Sequence, residues 1–491
     1  MLKIKKGTMK QYLLLVLASL IISCNIGQPD LSKGMQSINS EDMARYVENI
    51  SADSLLGRKP GTAAEQIAID YLAKEFERIG LKPANRDNWF QEVPLVSVTG
   101  KPSNMKIKLG EKSLNLAYRT DFVAFSRRIK KEITLNESGL VFAGFGIDAP
   151  EFGKNDFEGL DLKGKTVLIF VNDPGFGAAD TTYFKGNSMT YYGRWTYKYE
   201  EAARKGAEAV FIIHESEQAG YPYSVVLNGA IIPKLYLQPD DGYKNRCAVE
   251  GWFTYSAADS LLNLLGYKIT ELKELAKKPD FKPFELNASL NLNIQQSFEY
   301  SVSNNVIGMI EGSKFKDECI IYSAHWDHLG VGNVLDGDSI YNGAVDNGTA
   351  LAWMLEIAEA FMKMDTKPER SILFMAPTAE EQGLLGAEYY VNNALLPIEK
   401  TVANINNDLM LPLGKWNDVM ITGYNQSELE DMTAEIAKRQ GRYLVPDPNP
   451  QTGMFYRADH FPFAKAGVPS LFARGNVDLV VGGKALAAAK E

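Results

Sequence analysis

The chain has 491 residues, 45% hydrophobic and 23% charged, with a formal net charge of −9. At about 150 residues per domain this predicts roughly two to four domains, and the composition excludes a disordered chain. The acidic balance excludes nucleic acid as a partner and any general attraction to anionic lipid headgroups.

The first segment, MLKIKKGTMKQYLLLVLASLIISC, has a basic start and an apolar stretch from Tyr12 to Ile22 that is too short to span a bilayer. It reads as an export signal over residues 1–24. Its end, Ile21-Ile22-Ser23-Cys24, resembles the lipobox of bacterial lipoproteins, which implies lipidation at Cys24 and tethering to the cell envelope, periplasmic or at the cell surface, without a spanning helix. The two other cysteines, Cys247 and Cys319, lie far apart in unlike contexts, so no disulfide framework is expected.

From Asn39 to about Ala84 the pattern is helical, with Ile67, Ile69, Leu72, Phe76 and Ile79 as an apolar stripe and Gly-Leu-Lys-Pro as its stop. Residues 39–115 are read as the first part of a catalytic domain. The texture changes over 116–290, where the strand KGKTVLIFVND, the helix KYEEAARKGAEA and a buried strand VFII succeed one another. This unit resembles the protease-associated domain inserted into several secreted exopeptidases. His214, at its end, is read as structural, and the aromatic stretch YYGRWTYKY (191–199) as packed or overhanging a cleft.

Over 291–491, apolar runs of strand length alternate with helices such as GTALAWMLEIAEAFMKM. The expected fold class is therefore α/β, a three-layer sandwich with a mostly parallel mixed sheet flanked by helices and interrupted by the insert. Ligands in such sheets bind beyond the carboxyl ends of the strands. The residues just past each run are His325 and Asp327 after ECIIYSA, Glu380 and Glu381 after SILFMAPT, and Asp408 after VANINN, with Asp346 at a helix start in AVDNGTA. Two zinc ions close together can make a nucleophile from water, polarise an amide carbonyl and hold the oxyanion.

Asp346 suits the bridging carboxylate, Glu381 and Asp408 the terminal ones, and His325 the imidazole on the ion that Asp408 binds. Asp327 is placed to accept the other ring N–H of His325 and fix its tautomer. Adjacent side chains diverge, so Glu380 is left as the general base, taking a proton from the metal-bridging water and delivering it to the leaving amine. His328 is read as a loop residue or an outer donor.

The ordered strings SAHWDHLG, YNGAVDNGTA, TAEEQGLLGAEYY, NINNDL and GMFYRADHFPFAKAGVPSLF resemble the two-zinc aminopeptidase family of the bacterial leucine-aminopeptidase type, in the branch with a protease-associated insert. The resemblance implies removal of N-terminal residues from peptide substrates and the same roles for Glu380, Asp346, Glu381, Asp408 and His325. It places Asp459 and His460 in the lining of the site, with Ala458 where the family has serine. The family's second imidazole comes from a Tyr-His-x-x-x-Asp segment after the GVPSLF strand, and here no histidine follows His460. The expectation is a truncated chain, the alternatives being a substitute ligand such as His460 or a decayed, peptide-binding lipoprotein. A glutamate-releasing carboxypeptidase on the same scaffold would need cations for a free carboxylate, and Arg457 and Arg474 are candidates.

Overall fold

A computed structural model describes residues 31–178 and 180–490. Residues 1–24, read above as an export signal ending at Cys24, lie outside the described residues, and no helix among the described residues is long and apolar enough to cross a membrane.

Helix α1 (Ser40–Ile50) is capped by Asn39, whose side chain accepts from the Asp42 N–H. A turn at Asp53–Arg58 leads into helix α2 (Ala63–Ile79), which ends at Gly80 in the left-handed conformation (φ 94°). Ile69, Leu72, Phe76 and Ile79 are buried as their spacing predicts, whereas Ile67 faces out at 51% exposure. Strand β1 (Phe90–Pro102) follows.

Strands β2 (Glu132–Phe142), β3 (Thr166–Phe170), β4 (Ala209–Ile213) and β5 (Val249–Phe253) pair in parallel in that order. Every residue of β3, β4 and β5 is buried, as expected where helices or strands cover both faces. A single 27-residue strand, β6 (Phe284–Ile310), pairs antiparallel with β2 through its first half, with β1 along its middle and with β8 (Arg370–Ala376) at its end. It thus runs without a break through residue 290.

The mixed sheet that carries the candidate site has the order β1, β6, β8, β7 (Phe315–Ser323), β9 (Thr401–Asn406), β11 (Ser470–Arg474) and β10 (Asp418–Ile421). Its centre, β8-β7-β9-β11, is parallel, with antiparallel neighbours on either side. Along β8, Ile372 and Phe374 join Leu72, Phe76, Trp326 and Leu355 on one face. Leu373 and Met375 join Ile321, Tyr390 and Phe463 on the other. Helices α2 and α3 (Thr349–Lys363) therefore cover one face and α4 (Leu385–Asn392) and α5 (His460–Lys465) the other, the three layers of an α/β sandwich.

Candidate metal centre

The register of the parallel strands aligns their ends: Ser323 of β7 lies beside Met375 of β8 and Asn406 of β9. Side chains just beyond them must then share one edge of the sheet. His325 lies two residues past β7, Asp408 two past β9, and Glu380 and Glu381 four and five past β8.

These residues form two adjoining groups. His325, Glu380 and Asp408 have ligand atoms within 4.8 Å of one another, and so do His328, Asp346 and Glu381. His325 Nε2 reaches across, 3.2 Å from Asp346 Oδ1, 3.5 Å from Asp408 Oδ1 and 3.9 Å from Glu380 Oε2. Glu380 and Glu381 diverge, one into each group.

The surroundings fix these positions. His325 Nδ1 lies 3.0 Å from the backbone oxygen of Asp327, which can only accept, so Nδ1 carries a proton and Nε2 faces the carboxylates. The Asp327 carboxylate is 3.7 Å from that nitrogen; its oxygens instead accept the backbone N–H groups of Glu380 (3.0 Å) and Glu381 (3.4 Å). Asp327 thus pins the Glu-Glu turn to the His325 loop. Asn305, fully buried on β6, accepts the Thr378 N–H and donates to Gly386 O. A β-carbon at Gly386 would lie 2.4 Å from Asn305 Oδ1 and 2.5 Å from Thr378 O, so only glycine lets helix α4 start against this strand end. The Asn347 amide donates to Asn407 O, tying the Asp346 segment to the end of β9.

Arg58 is fully buried and forms no ion pair among the described residues; its guanidinium donates to Trp326 O (2.8 Å), Ile50 O (2.6 Å), Gly343 O (2.9 Å) and Asn342 O. Burial lowers its pKa to about 10, opposed by Asp327, Asp346 and Glu381, so it is cationic at neutral pH. Arg474, a candidate receiver of a substrate carboxylate, donates to the backbone oxygens of Asp408 (2.8 Å) and Leu409 (2.7 Å). Arg457 lies over the Tyr221 ring.

The electrostatics call for a cation. Burial pushes Glu380 well above the usual carboxylate range; His325 lowers it, while Asp408, Asp459 and Glu381 add to the rise. Burial also raises Glu381, with the His328 hydrogen bond opposing. Burial acts to lower His325, yet Glu380 and the other carboxylates hold it well above its ordinary value. His325 Nε2, Asp346 Oδ1 and Asp408 Oδ1 are buried without a hydrogen-bond partner and face one another. Buried polar atoms left so are costly unless a cation or ordered water joins them. Mixed imidazole and carboxylate donors suit zinc.

Asp459 and His460 belong to neither ligand group, although Asp459 is near enough to raise Glu380 and to feel the charges of His325, Asp327 and Asp408. Both are buried, with no hydrogen-bond partner among the described residues for the carboxylate oxygens or the ring nitrogens. Burial pushes Asp459 up to about 8 and His460 down to about 3. The His460 ring packs on Phe455 and Phe472, with centroids 4.7 and 5.5 Å away. Because its folded pKa is below the unfolded value, His460 contributes stability that is present above pH about 6.5 and is lost as pH falls toward 3. At pH 4.5 the loss is roughly 2–3 kcal/mol at about 1.4 kcal/mol per unit. Denaturant titrations at pH 7 and 4.5 should therefore show a smaller acid loss for His460→Gln than for the parent.

His214 is buried, 3.1 Å from Tyr221 O and packed on Trp252, remote from both groups in its contacts. The Tyr191 ring packs on Tyr456 and Phe461, so the aromatic stretch meets the segment that leads to Asp459.

The aligned ends of the parallel strands thus carry two adjoining imidazole–carboxylate groups that could each hold a metal ion. Residues 305–485, which hold both groups, match the model of peptidase family M28. The chain is 33% identical over 139 residues to the aminopeptidase NAALADL1 of Mus musculus, covering 27% of this chain and 17% of that protein. It is 26% identical over 333 residues to the aminopeptidase YwaD of Bacillus subtilis, covering 66% of this chain and 57% of that protein. The chain thus spans less than two thirds of the length of these curated relatives. An aminopeptidase structure from Aneurinibacillus sp. strain AM-1 aligns at 17% identity with a TM-score of 0.47, covering 93% of this chain and 88% of that one.

Proposed function

We propose that the chain is a zinc-dependent aminopeptidase that removes N-terminal residues from peptides. The observation that carries this reading is the pair of adjoining groups, His325/Glu380/Asp408 and Asp346/Glu381/His328, at the aligned ends of parallel strands. The aminopeptidases among its relatives support the choice of reaction.

Asp346 stands between the groups and would serve both ions, with His325 and Asp408 on one and Glu381 on the other. Bound there, zinc would lower the pKa of a water toward about 7 and polarise the scissile carbonyl. Glu380 acts as the base, taking a proton from the attacking water and giving it to the leaving amine. Asp327 holds the Glu380 backbone and, through its own carbonyl, the His325 ring. The bonding of Arg474 to two backbone carbonyls disfavours the carboxypeptidase reading. Residues 116–290 are proposed as a protease-associated insert and residues 1–24 as an export signal with lipidation at Cys24.

The test is a side-by-side assay of an aminoacyl amide and an N-blocked peptide with a free C-terminus. Cleavage of the amide alone is expected, with loss on chelation and recovery on adding zinc. Cleavage of the blocked peptide, or activity indifferent to chelator, contradicts the reading.

A further inference from the structure

The geometry points to His328 as the imidazole ligand of the second ion, the one held by Asp346 and Glu381. The inference rests on the two-zinc reading above.

His328 Nδ1 lies 2.7 Å from Glu381 Oε1, and a ring nitrogen of His328 and a carboxylate oxygen each of Glu381 and Asp346 lie within 4.8 Å of one another. Two features show that this approach is built into the fold. The first is Gly343, in the left-handed region (φ 66°): a β-carbon there would lie 2.7 Å from His328 Cδ2 and 2.4 Å from Asp346 O. Only a residue without a side chain lets the 341–346 segment touch the ring. The second is Arg58, whose backbone oxygen accepts the His328 N–H (3.3 Å) while its guanidinium donates to Trp326 O and Gly343 O. One buried residue thus clasps the loop carrying His328 to the loop carrying Asp346.

The donor chemistry then matches across the two groups, each with one imidazole and its own carboxylate and with Asp346 between. His325 Nε2, 1% exposed and without a hydrogen-bond partner, faces Asp346 from the other side. Ligand atoms about 2.0–2.2 Å from a tetrahedral zinc lie roughly 3.3 Å apart. The His328–Glu381 contact would therefore open by about half an ångström on loading, which side chains 12% and 18% exposed can accommodate. His460 does not compete, since its ring is enclosed by Phe455 and Phe472 and lies in neither group.

The experiment counts zinc per chain on the full chain and on His328→Ala and His328→Gln, with His214→Gln as a control for loss of an unrelated buried imidazole. Two ions are expected in the parent and the control, and one in both His328 variants. Outer partners alone cost about 10- to 100-fold in affinity, so a lost ligand should weaken the second ion by at least about 100-fold. His328→Cys loaded with Co(II) gives a second readout: a sulfur-to-cobalt charge-transfer band is expected only if position 328 touches the ion. Two tightly held zinc ions in both variants, or no such band, overturns the inference while leaving the peptidase reading in place. A parent that binds no zinc overturns both.

Discussion

Glu380→Gln is expected to lower kcat by about 10²- to 10⁴-fold, the range for removing a positioned acid–base group, with KM and zinc content nearly unchanged. The amide is isosteric and keeps the backbone N–H that Asp327 accepts, so the turn should hold. What is lost is the capacity to carry a proton in a site whose carboxylate is 9% exposed. The same side chain lies within ligand distance of the His325 and Asp408 donors. Zinc analysis therefore decides its role: falling kcat with two ions retained identifies the base, whereas loss of an ion would make Glu380 a ligand and leave the base unassigned. Glu381→Gln should behave in the opposite way, losing zinc first.

The second large effect is expected at Arg58. Arg58→Met should cost about 3–5 kcal/mol in denaturant titrations, since each hydrogen bond to a charged donor is worth about 1.5–3 kcal/mol and the bonded carbonyls are left buried. Arg58→Lys should recover only part, because a single ammonium cannot reach four carbonyls spread over three segments. A change under about 1 kcal/mol for Arg58→Met would show that the clasp is not structural. A zinc count in the folded variant should fall below two, because the loops of His328 and Asp346 are no longer held together.

Much of the site was legible because parallel strands write themselves as short apolar runs, and the residue that ends each run is placed by the sheet alone. His325, Glu380, Glu381 and Asp408 are all of this kind, and the helix after Asp346 has an evident period. Arg58 was not legible. It sits in LLGRKPG, and its partners are up to 285 positions away, so nothing local distinguishes it from a solvated arginine. Asn305 and Gly343 share that difficulty, since what each touches is decided by long-range packing. From the sequence His328 reads as a loop residue or an outer donor, because its side chain needs Gly343 and Glu381, on two other loops, to acquire a place. Of the long strand β6, only the end Val306–Ile310 reads as a near-continuous apolar run; its first half alternates buried Leu290, Leu292 and Ile294 with polar Asn291, Asn293 and Gln295.

The most direct measurement is anomalous diffraction at the zinc edge from crystals of the zinc-loaded chain. Two peaks are expected, one among His325, Asp408 and Asp346, and one among Asp346, Glu381 and His328. A single peak, or peaks lying away from the ends of β7, β8 and β9, would contradict a two-ion centre in this protein.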